Sequence, residues 1–180
     1  MKFYNKIIQV NVEKEKVIKA WSFAKDVVAT IDYSDSNQTN LQKIRIDHFV
    51  SKIGEEACKM VMSKFAKVKE PDYTIYSADE KSWEDDLYVN EIGVAVKTQR
   101  RSDAKKYSLS WTFQAGKYRR DIILDDPDAW VVFVECDDED PYQCYVYPPY
   151  QIKELSFGEP RLSRLKDSKK VVYANALPGL

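Results

Sequence analysis

The chain has 180 residues, of which 44% are hydrophobic and 13% aromatic, and its formal net charge is −1. That is long enough for one domain with its own core, too apolar for a disordered chain, and too near neutrality for a global field that would collect polyanions. Its 3 cysteines, Cys58, Cys136 and Cys144, are odd in number and form no CxxC pair, which argues against a zinc site and a disulfide framework and fits a reducing cytosol.

Residues 2–12 alternate in part like a strand, and residues 13–31 place Val17, Ala20, Trp21, Ala24 and Val28 on one helical face. A polar loop over 34–40 ends in good N-cap candidates. The strongest helix is predicted over 41–67, where Ile46, Phe49, Val50, Ile53, Ala57, Val61 and Phe65 keep one face apolar. Glu55 and Glu56 fall about 100° apart on that wheel, toward opposite borders of the face. Pro71 stops the helix, residues 73–76 read as a strand, and 77–84 as a polar connection.

Residues 86–99 read as a hairpin about a tight Asn90-Glu91-Ile92-Gly93 turn. Folded there, Val89 opposes Val94, Leu87 opposes Val96, and Asp86 opposes Lys97, within roughly 5.5 Å. A basic run follows, with Arg100, Arg101, Lys105 and Lys106. Residues 107–113 alternate strictly as a strand does, although a short helix from Ser102 is the alternative. Residues 129–135 have the continuous apolar character of a buried strand, and 143–147 give another, closed by Pro148 and Pro149. Residues 159–180 read as a loosely attached basic tail. No run approaches the ~18–20 apolar residues of a membrane span, and the N-terminus lacks the apolar stretch of a secretory signal. The expectation is a soluble α/β (α+β) protein: a mixed central sheet flanked by helices in one domain over 1–160, with its core over about 44–150 and a basic tail over 161–180.

A carboxylate and an ammonium at the end of a hairpin suit a metal ligand beside a group that activates water. They equally suit a surface cross-strand ion pair. The order of elements, with these charges on them, resembles the PD-(D/E)XK nuclease superfamily, which includes many type II restriction endonucleases. In that family a helix carrying a glutamate precedes a hairpin with a metal-binding Asp, and the next strand carries an acid, a spacer and a lysine. The resemblance makes Glu55 the helix glutamate, Asp86 the metal-binding aspartate, Lys97 the catalytic lysine and Gln99 the polar residue that often follows it. The wording Ser51-Lys-Ile-Gly-Glu-Glu56, Pro71-Asp72, Asp85-Asp86-Leu87, Val96-Lys97-Thr98-Gln99 and Ser110-Trp-Thr-Phe-Gln114 is also similar to small phage-encoded proteins of this type. Wheel geometry does not choose between Glu55 and Glu56; the Gly-Glu match favours Glu55.

The chain departs from the pattern where the acid two before the lysine is Ala95. Three readings stay open. The acid comes from Glu91, Asp72 or Glu55; or one metal is held by Asp86, Glu55, the Val96 carbonyl and water; or the site is inactive. The resemblance implies a restriction endonuclease-like core and a DNA endonuclease using Mg²⁺ or Mn²⁺, with restriction-type cleavage as one form of it, in a prokaryotic or phage-infected cytoplasm. A homodimer would serve symmetric cleavage of both strands. The alternative is an inactive nuclease-fold protein that binds DNA or a host protein.

Arg100, Arg101, Lys105 and Lys106, with Lys117, Arg119 and Arg120, are the expected DNA surface, against the plainer reading of solvated charges. Trp111 and Phe113 suit base stacking or, better, a core. His48, the single histidine, gives little support to a hydrolytic triad. The acidic clusters around 125–128 and 135–140 lack EF-hand spacing.

Overall fold

Two strands separated by some thirty residues of chain meet in parallel at the centre of the sheet, and the rest of the fold is arranged around them. In this computed structural model, which describes residues 1–30, 40–76, 85–117, 119–139 and 142–180, β3 (Ile92–Arg100) and β5 (Trp130–Asp137) pair in parallel, Val96 level with Val132. β2 (Leu87–Val89) lies antiparallel on the outer side of β3. On the far side of β5 come β6 (Gln143–Val146) and then β1 (Ile8–Asn11), both antiparallel, and β7 (Tyr150–Gln151) pairs with the start of β5. The protein is therefore an α+β fold built on a mixed sheet.

Being covered on both faces makes the central strands read as nearly unbroken apolar runs. Val94, Val96, Val132 and Val134 face α1 (Lys14–Val27) and α2 (Leu41–Met62), where Phe49, Ile53, Ala57 and Val61 complete one core. Ala95, Val131 and Phe133 face the other way, onto a ribbon of β4 (Ser110–Gln114) and β8 (Lys169–Tyr173). Trp111 stacks on Phe133 at 4.6 Å and donates its indole N–H to the Val134 carbonyl at 2.9 Å. With Phe113 it is buried core, not a base-stacking platform.

The Asn40 side chain caps α2 by accepting the Lys43 N–H at 3.1 Å. The helix ends at Met62, short of the predicted 67, because the buried stripe ends there. Phe65 is 44% exposed and stacks instead on Phe3 and Tyr4. Between 102 and 113 both readings hold in turn: α3 (Arg101–Tyr107) is followed by β4, joined through Ser108 at φ 66°.

Residues 73–76 form no strand; Tyr73 spends its ring on Phe23 and its hydroxyl on Glu56. The end of the chain, expected as a loose tail, supplies β8, and Val171, Val172 and Leu177 are buried. The predicted connection over 77–84 and most of the loop over 34–40 lie outside the described residues. Among those described, no helix is long and apolar enough to cross a membrane.

Candidate active site

The hairpin turns in two residues, not four. Asn90 and Glu91 take φ of 49° and 65°, the paired left-handed conformations of a type I′ turn whose twist matches the strands. Leu87 therefore opposes Val94, and Val89 opposes Ile92. The expected pairing of Asp86 with Lys97 is wrong by two positions. Asp86 stands just beyond the Leu87–Val94 pair, level with Ala95, and its Oδ2 accepts the Val96 N–H at 2.7 Å. A two-residue slip keeps every side chain on its face, so the Lys97 charge still acts on Asp86. The N–H and C=O of one strand residue point to the same edge, so the Val96 carbonyl faces the edge where β2 has ended.

Glu55 arrives from α2, which lies directly on β3: a Cβ on Gly54 would stand 1.8 Å from the Thr98 Oγ1. Glu55 is 2% exposed, with Lys52 at 2.7 Å on one carboxylate oxygen and the Ser51 hydroxyl at 3.4 Å on the other. Glu56 is buried too but turns away, accepting the Tyr73 hydroxyl at 2.9 Å with Lys16 at 3.8 Å. Of the two, Glu55 is the one on which the Asp86 charge acts.

Burial pushes the Glu55 carboxyl up to about 8, against the Lys52 ammonium and with the added charge of Asp86. Burial also raises the Asp86 carboxyl, against the Val96 N–H, Lys97 and Lys52. The Cys58 thiol is raised likewise by burial, and both carboxylates add to it. Two acids withdrawn from water within reach of each other's charge favour a proton or a cation near them.

Lys97 binds Asp121 at 2.7 Å and lies 5.1 Å from the Phe113 ring centre. Asp121 also accepts the Gln114 N–H at 3.2 Å. No sequence pattern pointed to it, because it comes from an irregular segment after β4. Gln99 is not part of the cluster: its Oε1 accepts the Ser110 N–H at 2.7 Å and ties β3 to β4. Of the three acids considered as replacements at Ala95, Glu91 sits at the turn tip 3.1 Å from Lys69. Asp72 closes its own turn on the Thr74 N–H and the Tyr76 hydroxyl. Of the three, Glu55 is the one whose carboxyl the Asp86 charge raises.

The expected DNA surface is largely spoken for. Arg100 bonds Asp103 at 2.8 and 2.9 Å, Arg101 bonds Glu135 at 2.8 Å and also Asp137, and Arg120 bonds Asp125. Lys105 and Lys106 are exposed on α3 without an ion pair to a described residue. The same bonds account for much of the two acidic clusters. His48 packs edge-on near Phe23, and burial pushes its imidazole below its ordinary value.

The donors available to a divalent ion are the Glu55 and Asp86 carboxylates and the Val96 carbonyl. Among the described residues, no group of three His, Cys, Asp or Glu side chains is gathered for a metal. Magnesium needs no such group, since it takes one or two carboxylates and completes its shell with water and phosphate oxygens. Two carboxylates and a carbonyl are a donor set whose chemistry fits a magnesium ion of that kind. Comparison with protein-family models, curated proteins and solved structures finds no match.

Proposed function

We propose that this chain is a divalent-metal-dependent nuclease of the PD-(D/E)XK type, with a restriction endonuclease-like core, acting on DNA. The observation that carries the reading is that Glu55, buried on the helix, lies within reach of the charge of the half-buried Asp86 from the hairpin, and burial shifts both toward the protonated form. Glu55, Asp86 and the Val96 carbonyl would hold Mg²⁺ or Mn²⁺. Bound there, such an ion supplies a Lewis acid for a phosphodiester oxygen and lowers the pKa of an attacking water.

The chain's own residues do the rest. Lys97 exchanges Asp121 for a phosphate oxygen and stabilises the charge that grows on it. Asp121 holds the ammonium in place until then, over the Phe113 ring. Lys52 keeps one Glu55 oxygen oriented, and the Val96 N–H fixes the Asp86 carboxylate with its other oxygen free of that bond. Cleavage of both strands of a duplex calls for a homodimer, and such an enzyme would work in a prokaryotic or phage-infected cytoplasm.

A second reading is an inactive nuclease-fold protein that binds DNA or another protein. One observation favours it: Glu55, Asp86 and Lys97 each already have an internal partner, and Ala95 leaves no third acid. Supercoiled plasmid incubated with wild type and Asp86→Asn, in Mg²⁺, Mn²⁺ or EDTA, separates the two. Metal-dependent nicking lost in Asp86→Asn supports the nuclease. Folded wild type that nicks neither duplex nor single-stranded DNA rejects it in favour of the binder.

A further inference from the structure

With Arg100, Arg101 and Arg120 engaged by carboxylates, a different surface collects unspent positive charge. A groove of about 240 Å³ beside the β4–β8 ribbon is lined by Lys166, Lys169 and Lys170, with Phe157, Gly158 and Glu159. Its acid is a weak counterweight: Glu159 stands 3.5 Å from Lys166, and both side chains are more than half exposed. Lys170 is exposed and Lys169 half-buried.

A short chain of contacts runs from this groove to the candidate site. Lys169 lies opposite Gln114 in the ribbon. The Gln114 N–H donates to Asp121, which holds Lys97. Arg119 and Lys97 both act on Lys169, whose ammonium burial already lowers, while Asp121 and Asp47 favour its charge. Three lysines lining one groove with a single exposed acid are an arrangement that a polyanion relieves. Lysines are point charges that take phosphates without reading bases.

We propose that the β4–β8 ribbon is a nucleic-acid track, in which Lys166, Lys169 and Lys170 hold the phosphodiester backbone of a DNA strand and lead it toward Lys97. The direction of travel rests on the nuclease reading; the binding does not. The track recognises backbone and is indifferent to sequence.

The test is fluorescence anisotropy of a labelled DNA duplex and of its single strand, in Ca²⁺ and in EDTA, over a series of salt concentrations. Wild type is compared with Lys166→Ala/Lys169→Ala/Lys170→Ala, with Lys170→Glu alone, and with Lys105→Ala/Lys106→Ala. The triple variant is expected to lose affinity roughly tenfold or more, and its log–log salt slope to fall by about one for each lysine that touches a phosphate. Lys170→Glu, at an exposed position, gives the same direction should the triple variant not fold. A larger loss in the Lys105/Lys106 variant, unchanged affinity in the β8 variants, or wild type that binds phosphatidylserine vesicles and not DNA would overturn the track. Plasmid nicking is scored in parallel. Wild type that binds through β8 but never nicks leaves the track and removes the nuclease; nicking with unaltered affinity in the β8 variants does the reverse.

Discussion

Glu55 makes stability depend on pH in a direction opposite to that of an ordinary paired carboxylate. Its carboxyl ionises near the usual 4.5 in the unfolded chain and near 8 in the folded one. Between those values the folded state holds a proton that the unfolded state has released, so stability falls as pH rises. Below the window both states are protonated, and above it both are ionised and the penalty stays constant. At about 1.4 kcal/mol for each pH unit crossed, the whole window amounts to at most about 4–5 kcal/mol. Asp86, raised for the same reason, adds in the same direction.

Glu55→Gln keeps the shape and an oxygen for Lys52 while removing the titration. Urea unfolding followed by tryptophan fluorescence, at about pH 5, 6.5 and 8, is the assay. Wild type should lose stability steadily across that range, and Glu55→Gln much less, so that near pH 8 the variant is the more stable protein by about 1–4 kcal/mol. Magnesium should restore wild type near pH 8, by about 2.7 kcal/mol at a hundredfold excess over its Kd, and leave the variant unmoved. A flat wild-type profile, or a variant less stable than wild type near pH 8, would mean that the Lys52 pair outweighs desolvation and would refute the reasoning.

Gly54→Ala should destabilise by about 1–2 kcal/mol in the same urea assay. The new Cβ would meet the Thr98 Cβ at 2.9 Å, a branched and stiff neighbour, and the overpacking cost exceeds the ~1 kcal/mol gained in helix propensity. Glu91→Gly should raise the thermal midpoint, contributing roughly 0.5–1 kcal/mol, because it relieves a left-handed residue at φ 65° and gives up only an exposed Lys69 pair. Deleting residues 161–180 should abolish cooperative unfolding, read by near-ultraviolet dichroism, because it uncovers Trp111 and Phe113 along β4.

The elements that carry strong apolar patterning were legible. The stripe of α2 and the run from Val131 to Val134 report burial directly, and burial is what the fold imposes on them. The hairpin was legible in place but not in register, and Gly93 explains the error. A glycine near a turn suggests the turn itself, yet Gly93 is in β3, where the Asp85 carboxylate crosses so closely that a Cβ would stand 1.7 Å from its Oδ2. The left-handed work falls to Asn90 and Glu91, and glutamate is a residue no turn preference selects.

In the candidate site, Asp86 and Lys97 were suggested by the hairpin, and Glu55 by the resemblance alone. Asp121 was suggested by neither, since only the closure of the chain brings it to Lys97. Lys169 and Lys170 were hidden by their charge: they look solvated in sequence, while Val172 beside them joins the second core.

The pairing of early strands with late ones also sets a schedule for synthesis. β1 finds its neighbour only when Gln143–Val146 has been made, and Trp111 and Phe113 are covered only when Lys169–Tyr173 returns to β4. Contacts so distant in sequence close slowly, so a nascent chain carrying α2 and the hairpin waits on the ribosome with its aromatic face bare. Chaperone demand during translation, and not only the strength of the finished fold, would then set how much of this protein a cell obtains.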